Sequence, residues 1–171
     1  MGPKLRISVT GAGAVGMRHL EILDAASDLD IAAIVDPAAP AEAFARARNI
    51  PYYKIEHARM LDVEKPDGAL VATPNSLHLE NGLACVERHI PFLLEKPITE
   101  TIESALQLVR AADKAGVPFI VGHHRRYNPA ISRARNFIRE GAIGKVTAVN
   151  GTWFRRKPDD YFEMAWRRQP G

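Results

Sequence analysis

The chain has 171 residues, of which 46% are hydrophobic and 25% charged, with a formal net charge of +3. This composition is typical of a folded globular domain and excludes collagen-like, disulfide-rich and intrinsically disordered chains. The charge is uneven, because residues 1–120 carry 12 basic and 16 acidic side chains whereas residues 121–171 carry 11 basic and 4 acidic ones.

Short apolar runs alternate with helical patterns as far as residue 121. The runs at 68–72 and 91–94 are almost wholly apolar, as expected of strands buried on both faces of a parallel sheet. Gly116 follows the last of these helical patterns, where glycine commonly ends a helix. In chain order the predicted elements are strand 5–10, helix 14–26, strand 30–35, helix 41–48, strand 51–54, helix 56–61, strand 68–72, helix 76–88, strand 91–94, helix 101–115 and strand 118–121.

This alternation predicts an α/β fold with a doubly wound parallel sheet over residues 1–122. The pattern changes after that point: residues 130–140 are predicted to form a helix and residues 145–156 a long strand. Residues 123–171 are therefore interpreted as the first helix and strand of an incomplete second α/β domain. The excess of basic residues in this segment suits small anionic ligands, and since no nucleic-acid-binding motif accompanies it, nucleic acid is not an expected partner.

A glycine-rich segment lies between the first predicted strand and the first predicted helix. Its sequence, Gly11-Ala-Gly13-Ala14-Val15-Gly16, has the G-x-G-x-x-G spacing of the Rossmann dinucleotide-binding fingerprint. Gly11 would make the tight turn, Gly13 would let the backbone approach a pyrophosphate, and Gly16 would allow close packing of the helix. The alternative is a structural glycine turn with no ligand.

Asp36 lies 20 residues after Gly16, at the end of the second predicted strand. An acidic residue at this place accepts hydrogen bonds from the adenosine ribose and disfavours a 2′-phosphate. The following Pro37-Ala38-Ala39 offers no cation to hold that phosphate. NAD is therefore predicted, with NADP disfavoured, although Asp36 is also a plausible turn residue.

Two further motifs follow strands of the predicted sheet. Thr73, Pro74 and Asn75 come after strand 68–72, at the edge where ligands bind in open α/β sheets, and Asn75 is also a plausible helix cap. His78 in the first helical turn is expected to pack near the cofactor rather than to catalyse. The alternative for this segment is an ordinary strand-to-helix turn.

Glu95-Lys96-Pro97 follows strand 91–94 at the same predicted edge. A lysine held in a fixed direction there can donate to a substrate hydroxyl, and a cis bond before Pro97 is one way to fix that direction. From the residues alone, an exposed surface charge remains the alternative for Lys96.

Other classes of site and location have little support. No apolar run approaches the ~20 residues that span a bilayer, and the first residues lack the apolar segment of a signal peptide. Cys85 is the only cysteine, so no internal disulfide can form. His123 and His124 are adjacent and would face opposite sides of an extended chain, which is poor geometry for a metal. We expect no metal, no membrane partner and a cytoplasmic location.

The combination of motifs is more specific than any one of them. In its order and spacing it resembles the glucose–fructose oxidoreductase / inositol dehydrogenase / MocA-like (Gfo/Idh/MocA) family. The resemblance implies a Rossmann domain followed by an α/β domain with a large open sheet, and oxidation or reduction of sugars, cyclitols and related alcohols with NAD(P). It spans essentially the whole chain and also includes Arg126-Tyr-Asn-Pro129, Gly144-Lys-Val146 and Trp166-Arg167.

The resemblance also implies roles for single residues. Lys96 would be catalytic, orienting the substrate hydroxyl and contacting the nicotinamide ribose, with Glu95 on the cofactor side. Arg126, Trp166 and Arg167 would approach the nicotinamide end. The family's general acid–base histidine and its aspartate follow the Trp-Arg motif and are not found in residues 1–171, so these residues alone are expected to be inactive.

We therefore predict the cofactor-binding half of an NAD-dependent oxidoreductase that acts on a sugar, polyol, cyclitol or related small-molecule alcohol. A complete second domain is expected to form a homo-oligomer. The alternative is a non-enzymatic NAD(H)-binding sensor or a degenerate paralogue: Lys96 favours the enzyme, and the missing base favours the alternative.

Overall fold

The computed structural model describes residues 2–152, 154, 156–158, 161 and 163, and the chain divides into two compact units after His123. The strands of the first unit are β1 (Leu5–Thr10), β2 (Leu29–Val35), β3 (Tyr52–Tyr53), β4 (Gly68–Val71), β5 (Phe92–Leu94) and β6 (Phe119–Val121). Its helices are α1 (Ala14–Asp24), α2 (Ala39–Ala47), α3 (His57–Glu64), α4 (His78–Glu87) and α5 (Ile102–Ala115).

The six strands form one parallel sheet in the order β3-β2-β1-β4-β5-β6. The chain begins at the centre with β1, moves outward to β3 and then returns to place β4 on the other side of β1. This reversal leaves a crevice at the carboxyl ends of β1 and β4, where ligands bind in doubly wound sheets. The predicted α/β fold with a doubly wound parallel sheet is confirmed.

Helices cover both faces of this sheet. Leu70 and Val71 are successive residues of β4, yet they belong to opposite hydrophobic clusters, because side chains alternate along a strand. Val71 packs in the cluster that contains Leu108 of α5, and Leu70 in the one that contains Leu20 of α1. No helix in the described part of the chain is long and apolar enough to cross a bilayer.

The ends of α5 follow from local sequence signals. The Thr101 hydroxyl accepts a hydrogen bond from the Ser104 N–H at 3.2 Å, and the Ser104 hydroxyl accepts one from the Thr101 N–H at 3.3 Å. These reciprocal bonds form a capping box. Gly116 ends the helix with φ of 66°, in the left-handed region that glycine adopts readily.

The start of α4 differs from the prediction. Asn75 was expected to cap a helix over 76–88, but it is the first residue of a 3-10 turn, Asn75–Leu77, and α4 begins at His78. The Asn75 side chain makes no capping hydrogen bond to this turn or to α4. The predicted cap is wrong because tight 3-10 turns are common at helix starts and move the α-helical boundary along the chain.

The second unit contains a 3-10 turn at His124–Tyr127 and helix α6 (Pro129–Arg139). The Asn128 side chain accepts a hydrogen bond from the Ala130 N–H at 2.9 Å and caps α6. The predicted strand over 145–156 is wrong for its described residues, none of which forms a strand. Strands are stable only when a neighbour pairs with their N–H and C=O groups, and the described residues of the second unit include no such neighbour.

A small polar cluster lies inside the first unit. The Thr10 hydroxyl donates to His57 Nδ1 at 2.7 Å, and His57 Nε2 donates to the Asn81 carbonyl oxygen at 3.1 Å. The Cys85 sulfur lies 3.6 Å from Nε2. Burial lowers the pKa of His57 from 6.5 to about 4 and raises the pKa of the Cys85 thiol to about 12. The cluster is therefore neutral and ties β1, α3 and α4 together.

The His57 ring makes the stability of the protein depend on pH. Between about pH 6.5 and pH 4 the unfolded chain binds a proton at His57 that the folded chain does not, so acid lowers the free energy of unfolding. We expect His57 to account for a loss of about 2 kcal/mol between about pH 7 and pH 4.5. Urea unfolding at both pH values, with His57→Gln as the comparison, tests this. An equal acid loss in the variant would contradict the assignment.

Candidate functional site

The loop after β1 runs against the end of β4. Gly11 has φ of +87°, and a Cβ at this position would lie 2.5 Å from the main-chain carbon of Ala72. The Gly11 N–H donates to the Val35 carbonyl oxygen at 2.8 Å, which fixes the turn on its other side. Any other residue here would have a strained backbone conformation, and its Cβ would collide with the main chain directly after β4. The turn role predicted for Gly11 is supported by this geometry.

The other two glycines of the motif face different surroundings. A Cβ on Gly16 would lie 1.8 Å from the Gly11 carbonyl oxygen, so the start of α1 packs directly on the loop. A Cβ on Gly13 would meet no atom within 4 Å, and Gly13, Ala14 and Val15 are exposed. No side chain caps this end of α1. The N–H groups of the first turn are therefore not capped by any side chain of the described residues, an arrangement that suits a phosphate.

Asp36 is joined to this loop by its carboxylate. Its Oδ2 accepts a hydrogen bond from the Ala12 N–H at 2.6 Å, and its Oδ1 accepts one from the Ala38 N–H at 2.7 Å. The Tyr52 hydroxyl donates to the Asp36 main-chain carbonyl. The carboxylate is only half-buried, so each oxygen keeps a lone pair for a ligand. The end of β2 thus presents an anionic acceptor beside the glycine loop.

The loop after β4 is held from beneath by the first turn of α4. Thr73 and Asn75 are half-buried and Pro74 is exposed. The Asn81 side-chain amide donates to the Thr73 hydroxyl at 3.3 Å. Thr73 also adjoins Gly11, because its main-chain nitrogen would lie 2.6 Å from a Cβ at that glycine. The two predicted binding loops are therefore in direct contact.

His78 lies beneath that loop and is 1% exposed. Its Nε2 donates to the Thr73 carbonyl oxygen at 2.9 Å, while Nδ1 lies 2.8 Å from the Pro97 carbonyl oxygen and 3.2 Å from that of Ile98. Both ring nitrogens are thus engaged by the main chain. The ring, predicted to pack near the cofactor, contacts the main chain of the two neighbouring loops.

Glu95 and Lys96 follow β5 at the same edge of the sheet. The Lys96 side chain is exposed, and in the described part of the chain no hydrogen bond or ion pair holds its ammonium group. Its main-chain N–H donates to Glu95 Oε2 at 3.3 Å, and the Lys96–Pro97 peptide bond is cis. The structure therefore presents the lysine at the crevice with its amine available to a ligand.

Two neighbours of Glu95 were not predicted. His19, on α1, donates from Nε2 to Glu95 Oε1 at 3.0 Å. A Cβ on Gly122 would lie 2.7 Å from the same carboxylate oxygen, so this glycine makes room for it. His19 follows Gly16 by three residues and so lies near it on one helix face. That spacing was the signal from which its position at the site could have been found.

Three further predicted residues are not part of the first unit's described residues. Arg126 is exposed in the 3-10 turn of the second unit. Trp166 and Arg167 lie outside the described residues. The first unit therefore brings together the glycine loop, Asp36, the loop at Thr73 and Lys96, all at the carboxyl edge of the central strands.

Comparison with known proteins gives a consistent result. The profile of a family described as "Oxidoreductase family, NAD-binding Rossmann fold" matches residues 5–123. Inositol 2-dehydrogenase of Corynebacterium glutamicum (strain R) is 35% identical over 157 residues, which cover 88% of this chain and 46% of that protein. An NADP(+)-dependent scyllo-inositol 2-dehydrogenase of Bacillus subtilis is 26% identical over 170 residues, covering 98% of this chain and 46% of that protein.

The fold has close counterparts among solved structures. Scyllo-inositol dehydrogenase of Lactobacillus casei, with bound NAD(H) and scyllo-inositol, superposes with a TM-score of 0.79 at 18% identity, covering 84% of this chain and 43% of that one. The chain thus spans about half the length of the curated relatives it matches. By the family match over its first 123 residues, the chain belongs to the Gfo/Idh/MocA family of oxidoreductases, whose NAD-binding Rossmann domain it contains.

Proposed function

We propose that this chain is the cofactor-binding part of an NAD-dependent dehydrogenase that acts on a hydroxyl group of a cyclitol, sugar or related polyol. The observation that carries the proposal is the carboxylate of Asp36, which is hydrogen-bonded at 2.6 Å to the main chain of a glycine loop whose helix terminus is open. This juxtaposition of a carboxylate acceptor with the uncapped N–H groups of a helix start fits a dinucleotide.

Different residues of the site would bind different parts of the dinucleotide. The N–H groups at the start of α1, beside Gly13, would hold the pyrophosphate. Asp36 would accept hydrogen bonds from the adenosine ribose, and its charge would oppose a 2′-phosphate. Because Pro37, Ala38 and Ala39 supply no cation, NAD is favoured over NADP.

Lys96 is proposed as the catalytic residue of this half. Bound NAD supplies hydride acceptance from a substrate carbon or, when reduced, hydride donation. The exposed ammonium of Lys96 would donate a hydrogen bond to the reacting oxygen and hold it in place. Glu95 would fix the main chain of Lys96 through the 3.3 Å contact with its N–H.

The substrate class follows from relatives rather than from a pocket in the described residues. The relatives described above include dehydrogenases of inositol and of scyllo-inositol. A ring that carries several hydroxyl groups is consistent with a lysine donor at the crevice. The individual cyclitol or sugar would be selected by the part of the enzyme that completes the pocket.

Asp36 provides the test of this proposal. We expect the 171-residue chain to bind NADH at least ~10-fold more tightly than NADPH, a difference of about 1.4 kcal/mol. Asp36→Ala should narrow that ratio, because it removes both the ribose acceptor and the repulsion of the 2′-phosphate. Fluorescence titration with both nucleotides measures this.

Asp113→Ala is the matched control, because Asp113 is exposed near the end of α5 and distant in sequence from every motif. It should leave both affinities unchanged. Equal affinity of the unmutated chain for NADH and NADPH would show that Asp36 does not select the cofactor. Absence of binding to either nucleotide would overturn the proposed function.

A further inference from the structure

His78 connects two loops that are separated in sequence by more than 20 residues. Its ring is buried beneath the site, with Thr73 on the Nε2 side and the Pro97–Ile98 segment on the Nδ1 side. The ring contacts the carbonyl oxygen of Pro97, which is the residue directly after Lys96. One side chain therefore spans the distance between the loop after β4 and the loop that carries the proposed catalytic lysine.

The chemistry of these contacts makes the connection specific. All three contacted atoms are carbonyl oxygens, which accept hydrogen bonds and cannot donate them. A histidine ring places its nitrogens on two sides of one side chain, and with a proton on both of them it donates to both loops at once. Buried carbonyl groups that lose their donor are costly, so the contacts resist separation of the loops.

The first turn of α4, which carries His78, is itself held in place by hydrogen bonds. His78 is the first residue of α4, and Asn81, one turn later, donates to the Thr73 hydroxyl. The Asn81 carbonyl oxygen accepts from the buried His57 ring at 3.1 Å. The first turn of α4 is thus anchored in the protein interior, so that displacement of the two loops would require the ring contacts to break.

We propose that His78 is a positioning residue for Lys96: by bonding the carbonyl groups of Thr73 and Pro97, it sets where the lysine stands relative to the cofactor loop. The effect of His78 on nucleotide binding rests on the proposed function. Within that function, His78 acts on the nicotinamide half of the cofactor, where Lys96 lies. The adenosine half is held by Asp36 and the start of α1, which His78 does not touch.

The first experiment needs no ligand. In His78→Phe, which keeps a flat ring but has no donor, amide hydrogen exchange at Glu95 and Lys96, whose N–H groups are hydrogen-bonded, should rise by ~10-fold or more, while exchange in β1 and β4 stays unchanged. His78→Gln should show a smaller rise, because its amide can reach one loop and restore part of the connection. The control is His89→Asn, at an exposed position with φ of 53° that asparagine tolerates.

The second experiment compares NADH with ADP-ribose, which lacks the nicotinamide and keeps the adenosine and the diphosphate. We expect His78→Phe to weaken NADH binding ~5-fold and ADP-ribose binding by less than ~2-fold, with His78→Gln between wild type and His78→Phe. A general loss of structure would weaken both ligands equally, so equal losses would overturn the positioning role.

The two proposals fail in different ways. If the unmutated chain binds neither ligand, the proposed function is wrong, and the exchange experiment still decides whether His78 positions the loop. If exchange at Lys96 stays at the wild-type rate in His78→Phe, or in His78→Gln should the first variant not fold, His78 has no positioning role.

Discussion

Replacing Gly16 with alanine is expected to abolish NADH binding by the 171-residue chain, with an affinity loss of at least ~100-fold, and to lower the thermal midpoint by about 10 °C. The added Cβ would stand 1.8 Å from the Gly11 carbonyl oxygen, so the loop and α1 cannot both keep their positions. Because the contacted atom belongs to the main chain, no side-chain rotation relieves the overlap. Thermal unfolding by circular dichroism and fluorescence titration give the two values.

Gly13→Ala is the informative comparison. Its Cβ would meet no protein atom within 4 Å, so the thermal midpoint should stay within about 2 °C of wild type while NADH binding weakens. The pair therefore separates a glycine that the fold requires from one that the ligand requires. Normal stability of Gly16→Ala, or unchanged NADH affinity in Gly13→Ala, would refute this division of roles.

Removing the amine of Lys96 is expected to lower kcat by ~100-fold or more in a protein that joins this chain to a complete second domain. The lysine has no partner among the described residues, so its deletion leaves the fold intact and removes one donor from the crevice. The dissociation constant of NAD should change by less than about 10-fold, because the proposed pyrophosphate and adenosine contacts involve other residues. Steady-state kinetics with inositols and aldoses provide the measurement.

Lys114→Ala, at an exposed position in the last turn of α5, should keep normal turnover. Lys96→Arg should recover little of the lost activity, because a planar guanidinium presents its donors differently from a compact ammonium. Near-normal turnover of Lys96→Ala would remove the lysine from the mechanism.

The features predicted correctly from the sequence are those that depend on residues close together in the chain. The order of strands and helices, the capping glycine after α5 and the glycine loop at the start of α1 all arise from patterns within a few residues. The placement of Asp36 and Lys96 along one edge of the sheet was also predictable, since the carboxyl ends of parallel strands share one side of a sheet.

Features that depend on distant parts of the chain were not predicted. The ring of His78 contacts the carbonyl oxygen of Pro97, 19 residues further along the chain. The contact of His19 with Glu95 joins residues 76 apart. The apolar alternation of 145–156 resembles a strand, yet a strand forms only where another one is available to pair with it. Such outcomes follow from tertiary neighbours that a local pattern does not specify.

The bond between Asp36 and the Ala12 N–H has a thermodynamic consequence for ligand binding. This bond is made between two parts of the protein itself, so the glycine loop is tied to the end of β2 as the chain folds, and the conformational entropy of the loop is lost at that stage. A preorganised receptor of this kind leaves more of its interaction energy available as affinity. Under the proposed function, the adenosine half of the site would then be a rigid template, against which the rest of a flexible dinucleotide orders itself.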